Sequence, residues 1–372
     1  MKFETLAVHA GGERDLATGS VAPPIHLSTT YEHGPAGERP HGWMYIREGN
    51  PTQVRLEEAL TAVEGGAAAL VFASGMAAGT AYLQALPAGT HVLFQEDLYY
   101  GFRKLARELL PRWGMTASFA DFRDLDALRA ALRPETGLLW TESPSNPLMQ
   151  VVDLAAVAEL ARGAGARLLV DGTFATPALQ RPLALGASAV LHSATKYLGG
   201  HGDVQAGALV FAAADDLVER AVHLRHITGG VASPFNSWLV LRGLRSLACR
   251  MERHSANALA VAQTLAGHAQ VEAVHYPGLA THPAHEVARR QMRAFGGMLS
   301  LQVRGGRERT IEVASRLRLF VNATSRGGTE SLIEHRASSE GPGSPTPENL
   351  LRASIGLEHP DDLVADLLQA FA

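Results

Sequence analysis

Only three side chains in this sequence can do carbonyl chemistry as amines. Of 33 basic residues, Lys2, Lys104 and Lys196 are lysines and all the others are arginines. A guanidinium stays protonated and does not condense with an aldehyde, whereas a lysine amine does so once it has lost its proton. Lys2 lies at a terminus and Lys104 in the charged string RKLARE, which leaves Lys196 in LHSATKYLGGHGD, just after an apolar run. Asp171 closes the apolar run ARLLVD ahead of GTFATP. A carboxylate at such a place is poorly solvated unless a positive group meets it. Ser74-Gly75-Met76 follows the run AAALVF and opens a helical pattern, so its backbone amides and the helix dipole suit a phosphate. The plainer readings are a surface amine, a turn aspartate and an ordinary strand-to-helix turn.

All three sites sit at the ends of short apolar runs. Strands are predicted at 67–72, 90–95, 115–119, 137–142, 166–171, 187–192 and 206–212, with helical patterns between several of them, such as 123–132 and 153–164. Strands alternating with helices predict an α/β fold whose largely parallel sheet is covered on both faces. Ligands of such sheets bind beyond the carboxyl ends of the strands, which directs attention to the loops after 72, 95, 142, 171 and 192. Residues 1–50, rich in Gly, Pro and His, read as an N-terminal arm, and 51–235 as a large domain. A long helical pattern over 235–266 leads into a C-terminal α/β domain, 236–372. That domain has predicted strands at 271–275, 298–303 and 351–355 and a loop-like stretch at 337–349.

Composition excludes several classes. A formal net charge of −4 without basic runs gives no nucleic-acid footprint. No apolar stretch approaches the ~20 residues of a membrane span, and the first residues show no signal-peptide core. The single cysteine, Cys249, fits a reducing cytoplasm and is expected in a helix core. No GxGxxG follows the first strand, which argues against a dinucleotide-binding oxidoreductase.

The string HSATKYLGGH resembles the lysine loop of the Cys/Met-metabolism enzymes that use pyridoxal phosphate (PLP), the cystathionine γ-synthase, γ-lyase and β-lyase family. The resemblance runs from VHAGGERDLATGSVAPPIHLSTTY to SIGLEHPDDLVADL, nearly the whole chain, with its motifs in order. It implies the PLP-dependent transferase-like fold (fold type I): a mostly parallel seven-stranded sheet in a large domain, plus a smaller C-terminal α/β domain. It implies that Lys196 carries PLP and that Asp171 faces the pyridinium nitrogen. Ser74, Gly75 and Met76, with the hydroxyls of Ser193 and Thr195, would hold the phosphate. Tyr99 in DLYYGF would stack on the ring, and Asn146 in ESPSNPL would approach its phenolic oxygen. Tyr45 and Arg47 in YIREGNPT would reach the phosphate of a neighbouring subunit, in a homotetramer built from dimers that share active sites. Arg352 in NLLRASIGLE would take the substrate α-carboxylate, with Ser325, Asn146 and Tyr45 nearby. Lys196, Tyr99 and Tyr45 would handle protons.

Five places depart from the family pattern. Gly172 stands for an Asn, Tyr100 and Phe102 interrupt Tyr-Gly-Gly-Thr, Thr324 replaces a Glu found in many γ-acting members, Arg326 replaces a Leu, and SSEGPGSPTP replaces a Met-Thr-His segment. The expected reaction is γ-elimination of cystathionine to cysteine, 2-oxobutyrate and ammonia by a carbon–sulfur lyase. γ-Replacement on an O-acylhomoserine and β-elimination are the alternatives. In a different class stands a PLP-binding regulator without catalysis, against which the joint presence of Lys196, Asp171 and Tyr99 argues. His282 and His285 in HPAHE have the residue types of metal ligands, but the string belongs to the family's ordinary pattern and no metal is expected.

Overall fold

Seven largely apolar runs pair into one sheet whose inner strands bury both of their faces. In the computed structural model, which describes residues 1–341 and 344–372, the strands are β1 (Ala68–Phe72), β2 (His91–Gln95), β3 (Thr116–Ala120), β4 (Thr136–Glu142), β5 (Arg167–Asp171), β6 (Ala189–His192) and β7 (Gly207–Phe211). Their order is β1-β7-β6-β5-β4-β2-β3, with β7 antiparallel to both neighbours and the pairs from β6 to β3 parallel. Successive side chains alternate between faces. Leu70, Phe72, Leu138, Trp140, Leu169 and Leu209 join one apolar core, while Leu139, Leu168 and Val170 join another on the far side.

A second sheet contains β8 (Val271–His275), β9 (Met298–Val303), β10 (Val321–Asn322), β11 (Leu332–His335) and β12 (Leu350–Ser354), in the order β10-β11-β12-β9-β8. Its buried face, including Leu299, Leu301, Leu351 and Ala353, packs with Val261, Leu265, Leu363 and Leu367 of the helices that cover it. No helix among the described residues is long and apolar enough to cross a membrane.

Four expectations need correction. The helical pattern over 235–266 is two helices, Pro234–Leu244 and Leu247–Ala266. A side chain of the second helix ties the junction: the Arg250 guanidinium donates to the carbonyl of Gly243 at 2.6 Å and to that of Tyr197 at 2.7 Å. Cys249 is exposed, not core. The buried stripe of its helix runs through Leu247, Arg250, Met251 and His254, and position 249 falls off it. The N-terminal arm is not extended throughout, since Phe3–His9 is helical and buries Phe3 and Ala7 against the main core. Within the expected loop 337–349, residues 337–340 belong to a short helix, Arg336–Glu340, because Glu340 pairs with Arg336 one turn away; Pro342 and Gly343 lie outside the described residues.

Candidate active site

The loops after β1, β2, β4, β5 and β6 meet the start of antiparallel β7 around a cavity of about 160 Å³. Ser74, Gly75, Met76, Tyr99, Asp171, Ser193, Thr195 and Lys196 all line it, together with Glu142 and Arg326. This is the carboxyl edge of the parallel strands, where the architecture places ligands.

Lys196 follows β6, and its amine donates to Ser325 Oγ at 3.2 Å. Burial, then the positive charges of Arg326, Arg352 and Arg336, hold its ammonium down to about 8. Ser325 has a backbone φ of 96°, a left-handed conformation in which a non-glycine residue is strained. Asp171 ends β5, and its Oδ1 accepts from the Thr173 amide at 3.0 Å. Burial raises its carboxyl above the ordinary aspartate range. Thr173 Oγ1 in turn accepts from the Ser193 amide at 2.9 Å, which locks the β5 loop to the loop carrying the lysine.

The anion cup is built on the Gly75–Ala85 helix. Ser74 Oγ caps it by accepting from the Ala77 amide at 3.1 Å. A side chain at Gly207 would bring Cβ to 2.1 Å from the Ser74 carbonyl oxygen, so only glycine lets β7 pass beneath the cup. The Thr195 hydroxyl donates to the Ala206 carbonyl and accepts from its amide, both at 3.1 Å, which ties the lysine loop to β7.

Five expected site residues do not line the cavity. Ser325 touches it only through Lys196. Arg352 is buried, ion-paired with Glu334 directly opposite on β11, and donates to Asn146 Oδ1 at 2.6 Å. Asn146 is fully buried, and among the described residues its Nδ2 has no partner. Tyr45 and Arg47 lie apart from the cavity of their own chain: the Arg47 guanidinium covers the Tyr45 ring at 5.4 Å and donates to the His226 carbonyl at 3.1 Å. His282 and His285 approach the carbonyls of Met149 and Pro277 at 3.2 and 2.8 Å, and the described residues contain no cluster able to hold a metal ion.

Sequence reasoning missed Glu142 and a buried pair behind the site. Glu142 ends β4, and its Oε2 accepts from the Tyr99 amide at 2.7 Å, which fixes the start of the tyrosine loop. Burial and then the nearby Asp171 push its carboxyl well above the ordinary glutamate range. The strand-end rule that found Asp171 applies equally to this residue. His192 Nε2 meets Glu64 Oε1 at 2.6 Å, both side chains almost wholly buried. A Cβ at position 172 would lie 3.0 Å from His192 Cε1, so Gly172, in place of the family's Asn, leaves room for that imidazole.

These groups suit PLP on their own terms. The cavity holds an amine of lowered pKa, a desolvated acid for a pyridinium and a helix N-terminus for a phosphate. Beside it, the buried Asn146 amide keeps an unused donor. Set on a mostly parallel seven-stranded sheet, they define a fold type I PLP-dependent enzyme. Residues 4–372 match the family model described as Cys/Met metabolism PLP-dependent enzyme, and the chain belongs to that family. It is 47% identical to a Mycobacterium tuberculosis protein named cystathionine gamma-synthase, over 98% of this chain and 96% of that one. It is 41% identical to a Bacillus subtilis protein named cystathionine gamma-lyase, over 100% and 99%. The crystal structure of metB from Corynebacterium glutamicum superposes with a TM-score of 0.97 at 41% identity, covering 100% of this chain and 98% of that one.

Proposed function

We propose that the chain works at the γ-carbon of a four-carbon amino acid in cystathionine metabolism, by γ-replacement on an acylated homoserine. The observation that carries a PLP amino-acid reaction is the free amine of Lys196 in one cavity with Asp171. PLP bound there supplies an electron sink for charge that develops on the substrate carbon. Lys196, with a substantial free-base fraction just above neutral pH, would hold the cofactor and move protons at Cα and Cβ. Tyr99, on the loop pinned by Glu142, would cover the ring and assist the leaving group. Asp171 would stay charged against the ring nitrogen, and Arg352 with Asn146 would orient the α-carboxylate. Tyr45 and Arg47, remote from their own cavity, would complete a partner's site in a dimer, two of which would form the tetramer. The single cysteine and the character of the relatives support a cytoplasmic setting.

The choice of γ-replacement over the γ-elimination expected from sequence rests on the higher identity to the mycobacterial γ-synthase than to the γ-lyase. γ-Elimination is the second reading. Incubation with an O-acylhomoserine and cysteine is expected to yield cystathionine. Release of 2-oxobutyrate from cystathionine alone would reverse the choice in favour of the lyase, and pyruvate would move the reaction to the β-carbon.

A further inference from the structure

Among the described residues Arg326, which lines this cavity, has no carboxylate at ion-pair distance from its guanidinium. It is 7% exposed and lines the wall beside Lys196, its guanidinium 4.8 Å from the Phe174 ring, and its Nε has no hydrogen-bond partner among the described residues. The buried acids around it are engaged elsewhere. Glu334 pairs with Arg352, Glu340 pairs with Arg336, Glu142 accepts from the Tyr99 amide, and Asp171, close enough to feel the guanidinium, accepts from the Thr173 amide. The one acid of its own loop, Glu330, is exposed and accepts from the Thr329 hydroxyl. A buried guanidinium without a counter-charge is expensive, and it is kept where a ligand completes it. On the reading above, the α-carboxylate falls to Arg352, which donates to Asn146.

Resting on the reading of the site as a PLP amino-acid site, we infer that Arg326 recognises a second carboxylate, carried on the substrate's side-chain arm, and so selects dicarboxylic amino acids. Phe174 below the guanidinium keeps its planar face covered and leaves the N–H edge for the ligand. The departure from leucine at this position then has a chemical purpose: an apolar wall has become an anion receptor.

The test uses the PLP-loaded enzyme and two unreactive probes, α-aminopimelate and α-aminoheptanoate. They share one chain and differ only in a terminal carboxylate against a methyl. Calorimetric titration of the wild type is expected to show the dicarboxylate binding about tenfold to a hundredfold more tightly, the value of one charge-assisted contact. Arg326→Leu is expected to bring the two affinities together, and Arg326→Lys to keep part of the difference. Equal affinities in the wild type would overturn the inference, as would an unchanged ratio in the leucine variant. An Arg326→Leu protein that loses PLP affinity yet keeps the ratio would assign the charge to the cofactor and overturn it too. A loaded wild-type enzyme that binds neither probe would refute the amino-acid site itself.

Discussion

The lowered pKa of Lys196 can be measured against the only two other amines on side chains of this protein. At pH 7.5 a group of pKa about 8 is roughly one-quarter free base, whereas at the ordinary lysine value of 10.5 the fraction is about one in a thousand. The buried amine is therefore expected to react roughly two-hundredfold faster than its ordinary protonation would allow. Cofactor-free protein would be pulse-labelled with cyanate from pH 6 to 11, and carbamylation read by mass spectrometry on the peptides bearing Lys2, Lys104 and Lys196. The two exposed peptides normalise the reagent and the digestion. The Lys196 profile is expected to turn over near pH 8. Arg326→Leu removes the largest of the charges that repel the ammonium and is expected to move the midpoint upward. A wild-type midpoint near 10.5, or no upward move in the variant, would refute the account of burial plus neighbouring guanidinium groups.

The same depression penalises folding while the lysine is charged. Lys196→Met is expected to stabilise cofactor-free protein by up to roughly 3 kcal/mol at pH 7. The gain should fade as pH rises from 8 to 10.5, where the unfolded chain still binds the proton that the folded one has released; denaturant midpoints at both ends of that range check it. Gly207→Ala drives a Cβ into the Ser74 carbonyl and should lower stability by about 1–3 kcal/mol with weakened PLP uptake, seen in melting and visible absorbance. Glu64→Ala leaves His192 buried without its partner and should destabilise the fold by about 3–5 kcal/mol in urea titration. Mixed Tyr45→Ala and Lys196→Ala subunits, each inactive alone, should regain about one-quarter of the wild-type sites if Tyr45 acts across a two-fold interface; no recovery on mixing would place Tyr45 outside the neighbour's site.

Much of the large sheet is legible because its inner strands are buried on both faces and read as apolar runs, the edge strand β3 being the half-buried exception. All seven lie within two residues of their predicted limits. β11 escaped notice for an electrostatic reason. Its Glu334 breaks the apolar pattern of LIEH, and only Arg352, far along the chain but directly across the ladder, makes that acid tolerable. The helix break at 245–246 was hidden because Leu241, Leu244, Leu247 and Met251 keep the apolar spacing across it. Asp171 and Lys196 announced themselves by their position at strand ends, and Glu142 obeys the same rule. Glu64 and His192 are separated by 128 positions in the chain, and nothing local in either segment points to the other.

Arg250 gives the junction between the two long helices a mechanical character. One guanidinium grips the last turn of the first helix at Gly243 and the residue after Lys196 at Tyr197. A tilt of the second helix therefore acts on the backbone next to Lys196 through a rigid planar fork, with no flexible loop to absorb it. The amine of Lys196 is coupled, like the tip of a lever, to the helix that leads into the second sheet.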